Sequence, residues 1–162
     1  MSEPLRLKIT VSQGQETAYL TLPFRVPQGI DSLHLSYRYP RRPEKTQQIE
    51  SGIFTSQIET NVIDLGLINP MGLQVGASGS DKTDIFVSET RATPGYIPSP
   101  ILPGEWRIII GAYKIAPEGV TVEYEITLTP KQKRWLKGDL HTHTLASDGV
   151  HTLEELAFKA KR

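Results

Sequence analysis

The feature that most constrains this chain is a hydrophobic period of two. Leu5-Arg6-Leu7-Lys8-Ile9-Thr10-Val11 alternates apolar and polar side chains, as a strand does when one face of its sheet is buried. Ala18-Tyr19-Leu20-Thr21-Leu22 continues the pattern after a turn at Gly14. In Leu33-His34-Leu35-Ser36-Tyr37-Arg38-Tyr39 the apolar set is Leu33, Leu35, Tyr37 and Tyr39, which leaves His34, Ser36 and Arg38 facing water. Further strand-like runs cover 62–67, 72–75, 84–88, 105–112 and 120–129. Most of the 13 glycines and all 12 prolines fall outside these runs, largely as turn signals between them, and no long segment of period 3.6 interrupts them. Such a set predicts a mainly β fold, an antiparallel sandwich that is immunoglobulin-like or jelly-roll-like, because a single sheet would leave one apolar face open to water. The runs 106–113 and 122–128 have matching lengths and flank Ala116-Pro117-Glu118-Gly119, which predicts a hairpin between them.

Composition narrows the function classes. Among 162 residues, 18 Lys and Arg balance 18 Asp and Glu, so no global basic field is available to attract nucleic acid, and none is expected as a partner. With no cysteine there is neither a disulfide framework nor a thiolate site, and any metal must be held by nitrogen and oxygen. The N-terminal residues lack the basic and apolar regions of a signal peptide, and no stretch reaches the roughly 18 apolar residues of a membrane span. The expectation is a cytoplasmic protein with no membrane partner.

Three stretches of the β region invite a functional reading, and each has a plainer one. The basic run 38–45 suits a solvated connection. The segment 92–104 holds four prolines, too many for a central strand, and reads as a stiff loop packed over the sandwich. His34 has no second histidine or carboxylate near it in sequence and reads as a surface residue. The glycines of 72–79 lack the helix that a phosphate cradle requires, so that stretch reads as a turn.

After Pro130 the pattern changes. The expected organisation is a β-sandwich over 1–130, a basic linker over 131–134, and a second unit over 135–162. The second unit begins Trp135-Leu136-Lys137-Gly138-Asp139-Leu140-His141-Thr142-His143-Thr144. Read as a strand, it puts Asp139, His141 and His143 on one face, with the two histidine Cα atoms about 6.6 Å apart, close enough for both imidazoles to reach one ion. Ser147-Asp148-Gly149 follows, where Gly149 permits a tight turn and Asp148 can bring a hard oxygen ligand back over the strand end. Thr152-Leu153-Glu154-Glu155 has capping-box spacing, with Thr152 as N-cap and Glu155 at N3, and Leu153, Leu156, Ala157 and Ala160 recur at helical intervals. Strand, ligand-bearing turn and helix make one βα unit, with the ligands at the carboxyl end of the strand, where α/β folds build their sites. His151, on a polar stretch at the helix start, reads as a surface residue.

The motif Asp139-Leu140-His141-Thr142-His143 with Ser147-Asp148-Gly149 resembles the first motif of the polymerase and histidinol phosphatase (PHP) superfamily of metal-dependent phosphoesterases. A β-rich region ahead of this motif is similar to the CehA/McbA type of PHP metallohydrolase. The runs 63–67, 92–96, 103–106 and 111–114 resemble the N-terminal region of those proteins. The resemblance implies a distorted (β/α)7 barrel holding two or three Mn, Zn, Fe or Mg ions that activate water against a small-molecule ester, a phosphoester above all. By the same resemblance His141, His143 and Asp148 are metal ligands, and Asp139 orients them from behind. Later motifs of the family, which supply further His, Glu and Asp ligands, do not occur in the sequence.

Two readings follow. In the first, the chain is the N-terminal part of such a hydrolase, with the sandwich as accessory domain. In the second, it is a stand-alone β-sandwich binding module with a vestigial PHP tail. One βα unit cannot close a barrel, so residues 135–162 are expected to be loosely held, to bind metal weakly and to lack hydrolytic activity by themselves.

Overall fold

The structure, a computed structural model, describes residues 3–42, 59–132 and 141–160. The chain divides into two compact units, 1–131 and 132–162. The first is built of eight strands: β1 (Leu5–Val11), β2 (Tyr19–Val26), β3 (Ile30–Arg38), β4 (Val62–Ile68), β5 (Gln74–Ser78), β6 (Asp84–Ser88), β7 (Gly104–Lys114) and β8 (Val120–Pro130). They form two antiparallel four-stranded sheets, in the orders β1-β8-β3-β6 and β2-β7-β4-β5. Side chains from both sheets join one apolar core, among them Leu33, Leu35 and Tyr124 from the first sheet and Leu65, Trp106 and Ile108 from the second.

The pairing is nested. β1 pairs with β8, β2 with β7, β3 with β6 and β4 with β5, so the chain resembles a long two-stranded ribbon closed at β4–β5 and wound round a core. That strand order is the winding of a jelly roll; an immunoglobulin sandwich would instead place consecutive strands side by side. Among the described strands, β4 and β5 are the sole consecutive pair. Their turn is closed by Asn69, whose side-chain oxygen accepts from the backbone N–H groups of Met71 and Leu73, both at 3.0 Å.

The hairpin expected between 106–113 and 122–128 is therefore not formed. β7 lies between β2 and β4, whereas β8 lies between β1 and β3 in the other sheet. Residues 115–119 carry the chain from one sheet to the other, and a span of about 10 Å is within reach of five residues. Ile115 and Ala116 are buried. Their N–H groups bond to Glu16 Oε2 (3.1 Å) and Asn61 Oδ1 (2.8 Å) rather than to a hairpin partner. Matching run lengths and a Pro/Gly loop suit both arrangements; the two apolar residues inside the loop favour the crossing.

The stretch 72–79, read as a turn, is strand β5 over most of its length. Its Gly76 faces the proline-rich segment at close range: a Cβ there would stand 2.5 Å from the Gly95 carbonyl oxygen. That segment packs, as expected, with Tyr96 and Ile101 buried. Tyr96 donates its hydroxyl to the Leu65 carbonyl at 3.0 Å, and the buried indole N–H of Trp106 donates to the Leu102 carbonyl at 2.8 Å.

On the outer face of the first sheet, Arg38 pairs with Glu123 at 2.6 Å, and His34 pairs across the ladder with Asp84 at 2.7 Å. The carboxylate invisible near His34 in sequence thus comes from the neighbouring strand. Pro23 is tolerated because β2 is an edge strand. Residues 43–45 of the basic run lie outside the described residues. No helix among the described residues is long and apolar enough to cross a membrane.

Candidate metal centre

In the second unit the described residues form the loop 141–152 and one helix, α1 (Leu153–Ala160). Asp139 and the start of the expected strand, 135–140, lie outside the described residues. His141–Thr144 themselves are not in a strand. A strand satisfies its backbone polar groups through a ladder, and none of the described residues offers 141–144 a ladder partner.

Even so, the two histidines converge. Their ring centroids are 4.6 Å apart with the planes inclined at 55°, and Nε2 of His141 lies 2.6 Å from Nε2 of His143. On the far side of the second ring, the Asp148 carboxylate pairs with His143 Nδ1. A carboxylate there accepts the Nδ1 proton of a neutral imidazole and leaves Nε2 as the acceptor, so in the short contact it is His141 Nε2–H that donates. Two imidazole nitrogens about 2.1 Å from a tetrahedral ion stand roughly 3.4 Å apart. The observed gap is narrower, that of a hydrogen bond between the two rings. The residue types fit a divalent metal, two imidazoles side by side with a carboxylate on the outer nitrogen of one, but both Nε2 lone pairs would face an ion only with the His141 proton on Nδ1 and the rings further apart. Among the described residues no group of three or more metal-ligating side chains surrounds one point, since Asp148 lies on the Nδ1 side of His143.

The loop that brings Asp148 back is organised by Thr144, a residue the sequence reading did not single out. Its carbonyl accepts the N–H of Ser147 (2.9 Å) and of Gly149 (3.0 Å), and its hydroxyl oxygen accepts the N–H of Ala146 (3.2 Å). A threonine whose hydroxyl can bond two residues ahead is a local turn signal, and that spacing was legible. Gly149 is required by close approach: a Cβ there would collide with the His143 carbonyl. The Leu145 N–H donates to the His151 carbonyl at 3.0 Å, tying the loop to the helix start.

The expected capping box is present. Thr152 N–H donates to Glu155 Oε2 at 2.9 Å, and Glu155 N–H donates to Thr152 Oγ1 at 3.2 Å. The bond from the Thr152 N–H, helped by His151 and Lys159, holds the Glu155 carboxyl below its ordinary pKa. His151 turns to these neighbours: its Nδ1 is 3.5 Å from Glu155 and its Nε2 is 2.8 Å from Lys159 Nζ. It is a surface residue of the helix start, apart from the His141–His143 pair.

No model of a known protein family matches the chain, and neither does any curated protein sequence.

Proposed function

We propose that residues 135–162 open a metal-dependent hydrolase domain of the PHP superfamily, of the CehA/McbA type, and that the β unit is its accessory domain. The observation that carries this reading is the convergence of His141 and His143 on one point through Nε2, at 2.6 Å, with Asp148 on the outer nitrogen of His143. The ligand set is His141, His143 and Asp148, and the substrate class is a small-molecule ester, a phosphoester first. A bound Mn, Zn, Fe or Mg ion would supply Lewis acidity and lower the pKa of its water.

The chain's own part is positional. Asp148 fixes the ring orientation and tautomer of His143, and Gly149 lets the loop approach closely enough for that. For both Nε2 atoms to face one ion, the His141 proton that lies between them would have to sit on Nδ1 instead, a change of tautomer with no net loss of a proton from the neutral pair. Asp148 becomes a direct ligand only by leaving Nδ1 for the Nε2 side. A site for two or three ions needs more donors than these three residues supply, so hydrolysis requires ligands beyond them.

The test is calorimetric titration of Zn²⁺ and of Mn²⁺ into the 162-residue chain. Weak binding, with Kd at or above about 10 μM, is expected, together with its loss in His141→Ala and His143→Ala. Aryl-phosphate hydrolysis should be undetectable. Binding unchanged in both variants would remove the ligand assignment.

A further inference from the structure

The outer face of the sheet β2-β7-β4-β5 carries a constellation that neither the core nor the metal motif uses. Across three strands, Tyr19 stands opposite Gly111 and Gly111 opposite Asp64. One step along, the row reads Thr21, Ile109, Gly66, Ala77. Glycine inside a strand weakens it and often marks a place where a ligand or another backbone comes close. Here two glycines in neighbouring strands hollow the face. A groove of about 650 Å³ runs over both rows, and a second hollow of about 210 Å³ adjoins it, sharing Tyr19, Asp64 and Gly111 and bounded by Tyr113. The larger volume is that of a small-molecule site.

The two tyrosines are the most unusual feature. Tyr19 is 81% exposed and Tyr113 is 71% exposed, although both belong to regular strands. The Tyr19 ring lies over Gly111 and still keeps most of its surface in water, as a platform for a flat ligand does. The polar groups around them are also uncommitted. Among the described residues, the Asp64 carboxylate, the Tyr19 and Thr21 hydroxyls and the Gln74 amide make no hydrogen bond or ion pair.

A separate observation lies at the rim. Thr17, which lines the smaller hollow two residues before Tyr19, has φ +66. A β-branched residue in the left-handed region is an outlier, and such strain is retained where the surroundings impose it. Its N–H donates to the Ala112 carbonyl at 2.6 Å, pinning the entry of β2 against β7 beside Tyr113. The strained turn and the platforms are one construction.

We infer that this groove binds a neutral saccharide, with Tyr19 and Tyr113 stacking against the apolar faces of sugar rings and Asp64 accepting hydrogen bonds from their hydroxyls. Charge selects the class. Asp64 is the one charged side chain among the residues that line the two hollows, and it repels a phosphate or carboxylate ligand. A small cation would engage Asp64 alone and leave the exposed Thr21 hydroxyl and Gln74 amide to water. A neutral polyol carries both donors and acceptors, and its rings carry the flat C–H faces that aromatic platforms take. The inference is independent of the metal reading, because its residues lie entirely within 17–113.

The experiment is titration of the chain with four neutral probes, cellohexaose, xylohexaose, mannohexaose and maltohexaose, followed by calorimetry and saturation-transfer NMR. At least one is expected to bind with Kd between about 10 μM and 1 mM. Tyr19→Ala, Tyr113→Ala and Asp64→Asn should each weaken that binding about tenfold or more while leaving the thermal unfolding midpoint nearly unchanged. Arg6→Ala, on the opposite sheet, should leave binding intact. Absence of binding by all four probes at about 10 mM would overturn the inference, as would binding indifferent to all three groove variants. Tetramethylammonium binding in place of the sugars would overturn it too, by assigning the groove to a cation.

Discussion

The two units stand on different physics. In the first, side chains from both sheets are buried in one core, and residues such as Leu33, Leu35, Ile108 and Trp106 have no exposed surface at all. In the second, none of the described residues is buried. Its loop and helix are held by local hydrogen bonds: the Thr144 turn, the Thr152–Glu155 box and the His143–Asp148 pair. Leu145, Val150, Leu153 and Phe158 are exposed apolar side chains, and the helix they adjoin is eight residues long, too short to be stable in water through propensity alone. A core makes a unit cooperative, whereas caps and turns only bias one.

The sharpest way to break this contrast is to remove one large apolar side chain from each unit. Trp106→Ala deletes a ring of 0% exposure and its bond to Leu102, and should cost about 3–5 kcal/mol in urea unfolding of the β unit. Phe158→Ala, at 64% exposure, should change that unfolding by less than about 0.5 kcal/mol. Equal effects would mean that the second unit shares the core.

Within the core, two stacked tyrosines provide a finer test. Tyr37 and Tyr124 lie with ring centroids 5.8 Å apart, and burial pushes both hydroxyl pKa values above the usual range. Tyr37 donates to the Ile63 carbonyl at 2.7 Å, whereas the Tyr124 hydroxyl is buried with no partner among the described residues. Tyr37→Phe should therefore cost about 1–2 kcal/mol, and Tyr124→Phe should be neutral or slightly stabilising. Chemical denaturation of the two variants distinguishes them, and equal costs would contradict the hydrogen-bond assignment.

The smallest effects belong to the second unit. Thr152→Ala removes the cap and should lower the helical population of 153–160, read from backbone chemical shifts, with no change in β-unit stability. The Glu155 carboxyl has a lowered pKa in the folded helix, so the stabilisation it gives is fully present above the ordinary carboxylate value of about 4.3 and is lost as the pH falls through the folded value. Helix shifts should hold steady above about pH 5 and fade in acid.

Much of this was legible in the sequence because period-two alternation is a local signal. All eight strand runs exist, and Leu33, Leu35 and Tyr37 point inward as their spacing requires. What alternation lacks is any record of which strand lies beside which. The nested order arises from long-range closure of one core, and neither Pro117 nor Gly119 distinguishes a hairpin from a crossing. The helix cap was equally local and equally legible. The His141–His143 pair was expected from strand geometry, yet it forms in a loop closed by Thr144, whose role needs the turn to be seen. The groove was visible only in part: Leu20 and Leu22 facing inward put Tyr19 and Thr21 outward, but the Gly111 floor and Asp64 join them through pairing that no single run contains.

The most direct measurement of the central claim is ¹⁵N NMR of the histidine rings during zinc titration. Before zinc, His143 should show the tautomer protonated at Nδ1, as its pairing with Asp148 demands. With zinc, the Nε2 resonances of His141 and His143 should move together, and Asp148→Asn should weaken the response. A His143 ring protonated at Nε2, or zinc shifts confined to His34 and His151, would contradict the assignment of these residues as a metal-ligand set.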